Sequence, residues 1–298
     1  MVIMLRKTLA LFLSLVMIFG MFGATPVFAE HEGEKRAVIA KDLDEDEIEQ
    51  IYEDFGVERG SVKEITVTNQ DERAYLEGLV EDEKIGNVAL SCVYIEMLEE
   101  GSGLELEINN IKWCTEAIYK NAFLTAGITD AKVIISAPHP VTGTAALTGI
   151  YLAYEDITGK SLDELAKELA VEELITTGEL AEIIGSEQAV EIINSLKEIL
   201  DEVAEMTDDE VRTEIRYIAD ELNVSLTDAQ VDQILELVRD LQGLNVEELQ
   251  DRLEGYAKAL EGVKSVGTFF ENIGKKVTSF FQTIGNFFSN LFGGNKNN

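Results

Sequence analysis

The 298-residue sequence has little of several residue types, and each shortage excludes something. Only three prolines stand beside 23 glycines, which leaves little room for a long disordered linker. There are two histidines, His31 near the start and His139, so a two-histidine metal site is not expected, and no metal or cofactor is predicted. Basic residues number 24 against 57 acidic ones, a formal charge of −33. Phosphate binding needs clustered Lys and Arg, so nucleic acid is excluded as a partner. No His-Glu-x-x-His, Gly-x-Ser-x-Gly, Ser-x-x-Lys, Walker or Cys-x-x-Cys pattern occurs, and no loop fits an EF-hand. His139 has no nucleophile or orienting acid that the sequence can place beside it. Pairs of carboxylates are inevitable at this acidity and carry no signal for glycoside hydrolysis. No catalytic residue is therefore assigned.

What is present begins with an export signal. Arg6 and Lys7 precede an apolar run from Leu9 to Phe22, and Val27-Phe28-Ala29 offers small residues for cleavage. Residues 1–29 read as a signal peptide, and the mature chain as secreted or extracellular. Without Arg6 and Lys7 the charge is −35, and the segment 263–298 holds four lysines against Glu271 alone. The span 30–262 is then −38, a solvated acidic surface or one that meets calcium or cationic wall components. Two cysteines, Cys92 and Cys114, fall in the mature chain, where a disulfide between them and two free thiols both fit an exported protein.

Hydrophobic spacing predicts an α+β protein. Ile48, Ile51, Tyr52 and Phe55 recur at helical spacing after acidic residues 42–47, and Gly56 ends the run. Residues 62–68 alternate as a strand. Asn69 caps a helix burying Tyr75, Leu76, Leu79 and Val80. A strand over 88–98, a Gly-containing turn at 99–103 and a strand at 104–108 read as a hairpin. Thr115 caps a helix ending at Gly127, and a buried strand covers 132–137. The order is βαββαβ, which predicts a ferredoxin-like antiparallel sheet domain over 30–142. From 143 to 262 no strand pattern occurs. Capping pairs Ser161/Glu164, Thr207/Glu210, Thr227/Gln230 and Asn245/Glu248 precede amphipathic runs, an acidic all-α helical region.

Three longer stretches carry a resemblance. They are Ala89-Leu90-Ser91-Cys92-Val93-Tyr94-Ile95-Glu96, Asn109-Asn110-Ile111-Lys112-Trp113, and Ala137-Pro138-His139-Pro140-Val141-Thr142-Gly143-Thr144 with the Ala145-Ala146-Leu147-Thr148-Gly149 that follows. Over most of residues 40–260 the chain resembles the YpuA-like secreted proteins of spore-forming Gram-positive bacteria, the domain-of-unknown-function family numbered 1002. The resemblance implies an extracellular or envelope-located protein and transfers no catalytic residue.

Three places are candidate sites. His139, Thr142, Gly143 and Thr144 lie where a buried strand gives way to a helix, whose free N–H groups suit an anionic or carbonyl-bearing ligand. The same residues also make a good structural turn. Trp113 could stack on a sugar or pack in the core. The strongest signal is the tail, 263–298. Phe269, Ile273, Val277, Phe280, Ile284, Phe287 and Leu291 form one helical stripe, widened by Phe270, Phe281, Phe288 and Phe292, with Lys275 and Lys276 beside it. Gly, Thr, Asn and Phe are mediocre helix formers, so a partner must cover the stripe. Polar Gln282, Asn286 and Asn290 interrupt it too often for a spanning helix. The expected cover is a membrane surface, with self-association or docking on the body as alternatives. The expected function is an envelope-associated binding or structural protein, with a small-ligand binder or enzyme acting through 138–144 as the rival.

Overall fold

The computed structural model describes residues 31–78 and 82–260. The stretch 1–29 read as a signal peptide, the aromatic tail, and Leu79 and Val80 of the second expected helix lie outside the described residues.

The first strand, β1 (Lys35–Ala40), is followed by helix α1 (Glu45–Phe55). Asp44 and Glu47 close a capping box at its start, and Gly56 stops it in the left-handed region at φ 68°. Strand β2 (Lys63–Val67) runs parallel to β1, and α1 makes the crossover that a parallel pair requires. Helix α2 (Asn69–Leu76) starts from a capping box of Thr68 with Asp71, one residue before the predicted cap. After the short α3 (Asp82–Ile85), β3 (Cys92–Met97) pairs antiparallel with β1. Then β4 (Leu104–Ile111), α4 (Glu116–Ala126) and β5 (Ala131–Val141) form a second parallel unit. The sheet order is β2-β1-β3-β5-β4.

The α+β class holds, but the ferredoxin-like prediction is corrected. The sheet has five strands and is mixed, and β3 and β4 are not a hairpin, because β5 lies between them. The unpredicted strand, Lys35–Ala40, is buried from Ala37 to Ala40 and pairs on both sides. A strand covered on both faces loses the alternation that marks a half-buried one.

The sheet positions two layers. Val38 and Val93 are cross-strand partners, and a β-carbon on Gly149 of α5 (Thr144–Thr158) would lie only 3.3 Å from a methyl group of each. That close approach seats α5 on one face. Tyr94 and Ser136 point to the other face, where Phe55 meets Tyr94 and Ser136 bonds Asp54 of α1.

Helices continue with α6 (Glu164–Ile184), α7 (Ser186–Glu198), α8 (Leu200–Ala204), α9 (Asp208–Glu221), α10 (Asp228–Leu241) and α11 (Val246–Leu260). The capping boxes Thr207/Glu210 and Thr227/Gln230 form as expected, and Asn245 accepts from the Glu248 amide. The cap of α6 is Asp163 rather than Ser161. The amphipathic stretch 192–203, with Ile192, Ile193, Leu196, Ile199, Leu200 and Val203 at helical spacing, is broken at Ile199 into α7 and α8. No strand follows 143 among the described residues. Buried apolar side chains form one cluster from Ala37 to Leu253, joining the sheet to the helical region. Among the described residues no helix is long and apolar enough to cross a membrane.

Candidate functional site

The segment 138–144 is less of a loop than its sequence implies. Strand β5 continues through Val141, so Pro138, His139 and Pro140 are in the strand. Opposite them β4 carries a bulge, with Asn110 in the left-handed region at φ 59° and its Nδ2 donating to the Ala137 carbonyl at 2.8 Å. The bulge restores pairing at Ile111 with Val141. Only Thr142 and Gly143 remain between the strand and α5.

Gly143 is the pivot. Its φ is 99°, and a β-carbon there would lie 2.3 Å from the Tyr119 hydroxyl and 2.6 Å from Ile111 Cγ2. Only glycine fits. Tyr119 of α4 donates to the Gly143 carbonyl at 2.6 Å, so α4 fixes the start of α5. Gly143 supplies no side-chain cap, which leaves the first amides of α5 without one.

Those amides border a cavity of 180 Å³ lined by Glu72, Leu90, Ser91, Thr142, Gly143 and Thr144 among others. Glu72 of α2 is 1% exposed. Its Oε1 accepts from the Thr144 hydroxyl at 2.7 Å and its Oε2 from Asn69 Nδ2 at 3.3 Å. Burial pushes the Glu72 carboxyl above its ordinary value, and the two hydrogen bonds pull the other way. The site therefore combines a buried acid, neighbouring hydroxyls and an uncapped helix start. It can hold a small group that donates to Glu72 and accepts from α5.

Of the predicted site residues, Thr142, Gly143 and Thr144 come together, while His139 is exposed on β5 and does not line the cavity. Glu72 was not legible. In sequence an acid in the first turn of a helix reads as a partner of the helix dipole, and nothing local reports that α5 buries it. Trp113 is half-buried against Gly178 of α6, where a β-carbon would lie 2.6 Å from its ring, so it packs between elements.

Cys92 and Cys114 are both free and buried. Cys92 Sγ accepts from the Ala40 amide at 3.2 Å, and Cys114 sits beside Tyr119. Burial pushes both thiols up to about 12, which keeps them protonated and unreactive. Among the described residues no group of three or more His, Cys, Asp or Glu is placed to hold a metal.

A family model described as "Protein of unknown function (DUF1002)" matches residues 39–256. The uncharacterized protein YpuA of Bacillus subtilis (strain 168) is 32% identical over 268 residues, covering 84% of this chain and 90% of that protein. No solved structure matches.

Proposed function

The chain belongs to the DUF1002 family of unknown function, and from that premise we propose that it is an exported, non-catalytic binding or structural protein held at the cell envelope by its tail. The observation that carries this reading is the aromatic stripe from Phe269 to Phe292 on the end of an otherwise acidic chain. An interfacial helix needs such a face, and its apolar burial outweighs what three net positive charges add at an anionic surface. Helix α11 is seated against the β3–β4 turn, with Ala259 2.8 Å and Tyr256 3.5 Å from where a β-carbon of Gly103 would stand. Sedimentation of the mature protein with anionic vesicles, with and without residues 263–298, is the test. Binding that vanishes on truncation supports the dock. Absence of binding by either form sinks it, and concentration-dependent helicity without lipid would then favour assembly through the tail.

A second reading has its own observation, the cavity between Glu72 and the start of α5. It supports a small-ligand binder working through Thr142 and Thr144. Native mass spectrometry of the purified protein checks it. A retained adduct that Thr142→Ala with Thr144→Ala removes favours this reading, and a bare chain mass counts against it.

A further inference from the structure

Where α4, α6 and α7 meet, the core is polar in two successive layers. The first layer is Thr125, Glu173 and Lys197. Lys197 Nζ donates to Glu173 Oε1 at 2.8 Å and to Thr125 Oγ1 at 2.8 Å, and Thr125 donates to Glu173 Oε2. This layer is complete, and Lys197 and Glu173 are fully buried. The register of the three helices fixes the next. Thr115 before α4 bonds Ser186 at the start of α7, while Thr125 at the far end of α4 meets both Glu173 and Lys197. Helix α4 therefore runs antiparallel to α6 and parallel to α7. One turn from the ion pair toward the Thr115–Ser186 end lie Asn121, four residues before Thr125, Thr177, four after Glu173, and Asn194, three before Lys197. Residues three or four apart share a helix face, so these three point into the same seam.

Asn121, Thr177 and Asn194 are 4%, 0% and 4% exposed. Asn121 Nδ2, Thr177 Oγ1 and Asn194 Oδ1 are all buried without a hydrogen-bond partner among the described residues. Three orphan polar atoms on three mutually packed helices at one level are not three separate accidents, because buried polar groups are otherwise almost always satisfied. We infer that this layer is a binding site for a single enclosed water molecule, bridging α4, α6 and α7. The groups supply one donor, one acceptor and one hydroxyl that does either. Water matches that set, because it donates two bonds and accepts two, and an internal water typically has about three partners. It also satisfies the layer with either orientation of the two side-chain amides. An ion does not suit it, since the layer carries no charge and the ion pair one turn away is already neutralised. Partners too far apart for a direct bond, up to about 5 to 6 Å, are the ones a bridging water joins. The water sits in the joint that ties α4, and through Tyr119 the start of α5, to the helical region.

Oxygen-17 relaxation dispersion of water around the full mature protein tests this, comparing the wild type with Asn121→Leu/Asn194→Leu. A wild-type signal that falls by one long-lived water in the folded double variant supports the site, and equal signals overturn it. Should the double variant fail to fold, a crystal structure of the wild type showing ordered water decides. Density within hydrogen-bond distance of all three side chains supports the site. A direct bond between Asn121 and Asn194 with no density between the helices overturns it.

Discussion

Two residues carry the sharpest local predictions. At Gly143 a methyl group would strike both the Tyr119 hydroxyl and Ile111 in a backbone conformation that alanine resists. Gly143→Ala is expected to destabilise the fold by about 3 kcal/mol, as strain and overpacking combine, measured by urea unfolding with an unchanged m-value. Glu214 on α9 is 2% exposed, and burial pushes its carboxyl up to about 7. A carboxyl whose folded pKa is raised binds more protons folded than unfolded between its ordinary 4.5 and about 7. Stability therefore falls as pH rises through that window and levels off above it. Glu214→Gln removes the ionising group, so its stability relative to wild type should rise from pH 5 to pH 8 by an amount on the order of 2 kcal/mol. Denaturant melts at the two pH values check it, and a parallel pair of pH profiles would contradict it. Residue-level chemistry of this kind was only partly legible. Gly143 announced a turn, yet Glu214 looks like any helical acid until α9 is seen packed.

Pairs of elements explain what sequence could and could not give. Helix ends were readable because capping is local. Thr115, Thr207 and Thr227 sit within four residues of the amides they cap, while at Asn69 and Ser161 a neighbouring Thr68 and Asp163 took the role instead. Strand order was not, because β5 enters between β3 and β4 from some thirty residues away, and alternation reports a face but never a neighbour. The candidate cavity is non-local for the same reason, since Glu72 and Thr144 bond across 72 positions. The Lys197–Glu173 pair makes the point energetically by tying α7 to α6 without water contact. Lys197→Met strands a buried carboxylate and is expected to lose about 3 kcal/mol at pH 7. Pairing the change with Glu173→Leu should recover most of the stability, because no buried charge remains. Thermal unfolding of the two variants decides, and a double variant no better than the single one would show that packing, not charge, holds this seam.

The whole molecule is electrically divided, and the division bears on how a tail of this kind could work. The span 30–262 carries −38 and the tail +3. Near an anionic vesicle the tail lysines are attracted, while the body, tethered at α11, is repelled by a far larger charge. Screening shortens the reach of both forces, from about 10 Å at 0.1 M salt to about 3 Å at 1 M. In the proposed dock the body would stand off the surface and the lysines would lie on it, so the repulsion would act over the longer distance. Salt should therefore relieve more repulsion than attraction, while burial of the Phe269–Phe292 stripe depends little on it. The intact mature protein is expected to bind anionic vesicles more tightly as salt rises from about 0.05 M to about 0.5 M, and a peptide of residues 263–298 alone to bind less tightly over the same range. Co-sedimentation of both at matched vesicle concentrations reads the two slopes. Opposite signs would mean that aromatic burial anchors the protein against the charge of its own body. Two falling slopes would mean that the lysines carry the attachment and that the body stays too far away to matter.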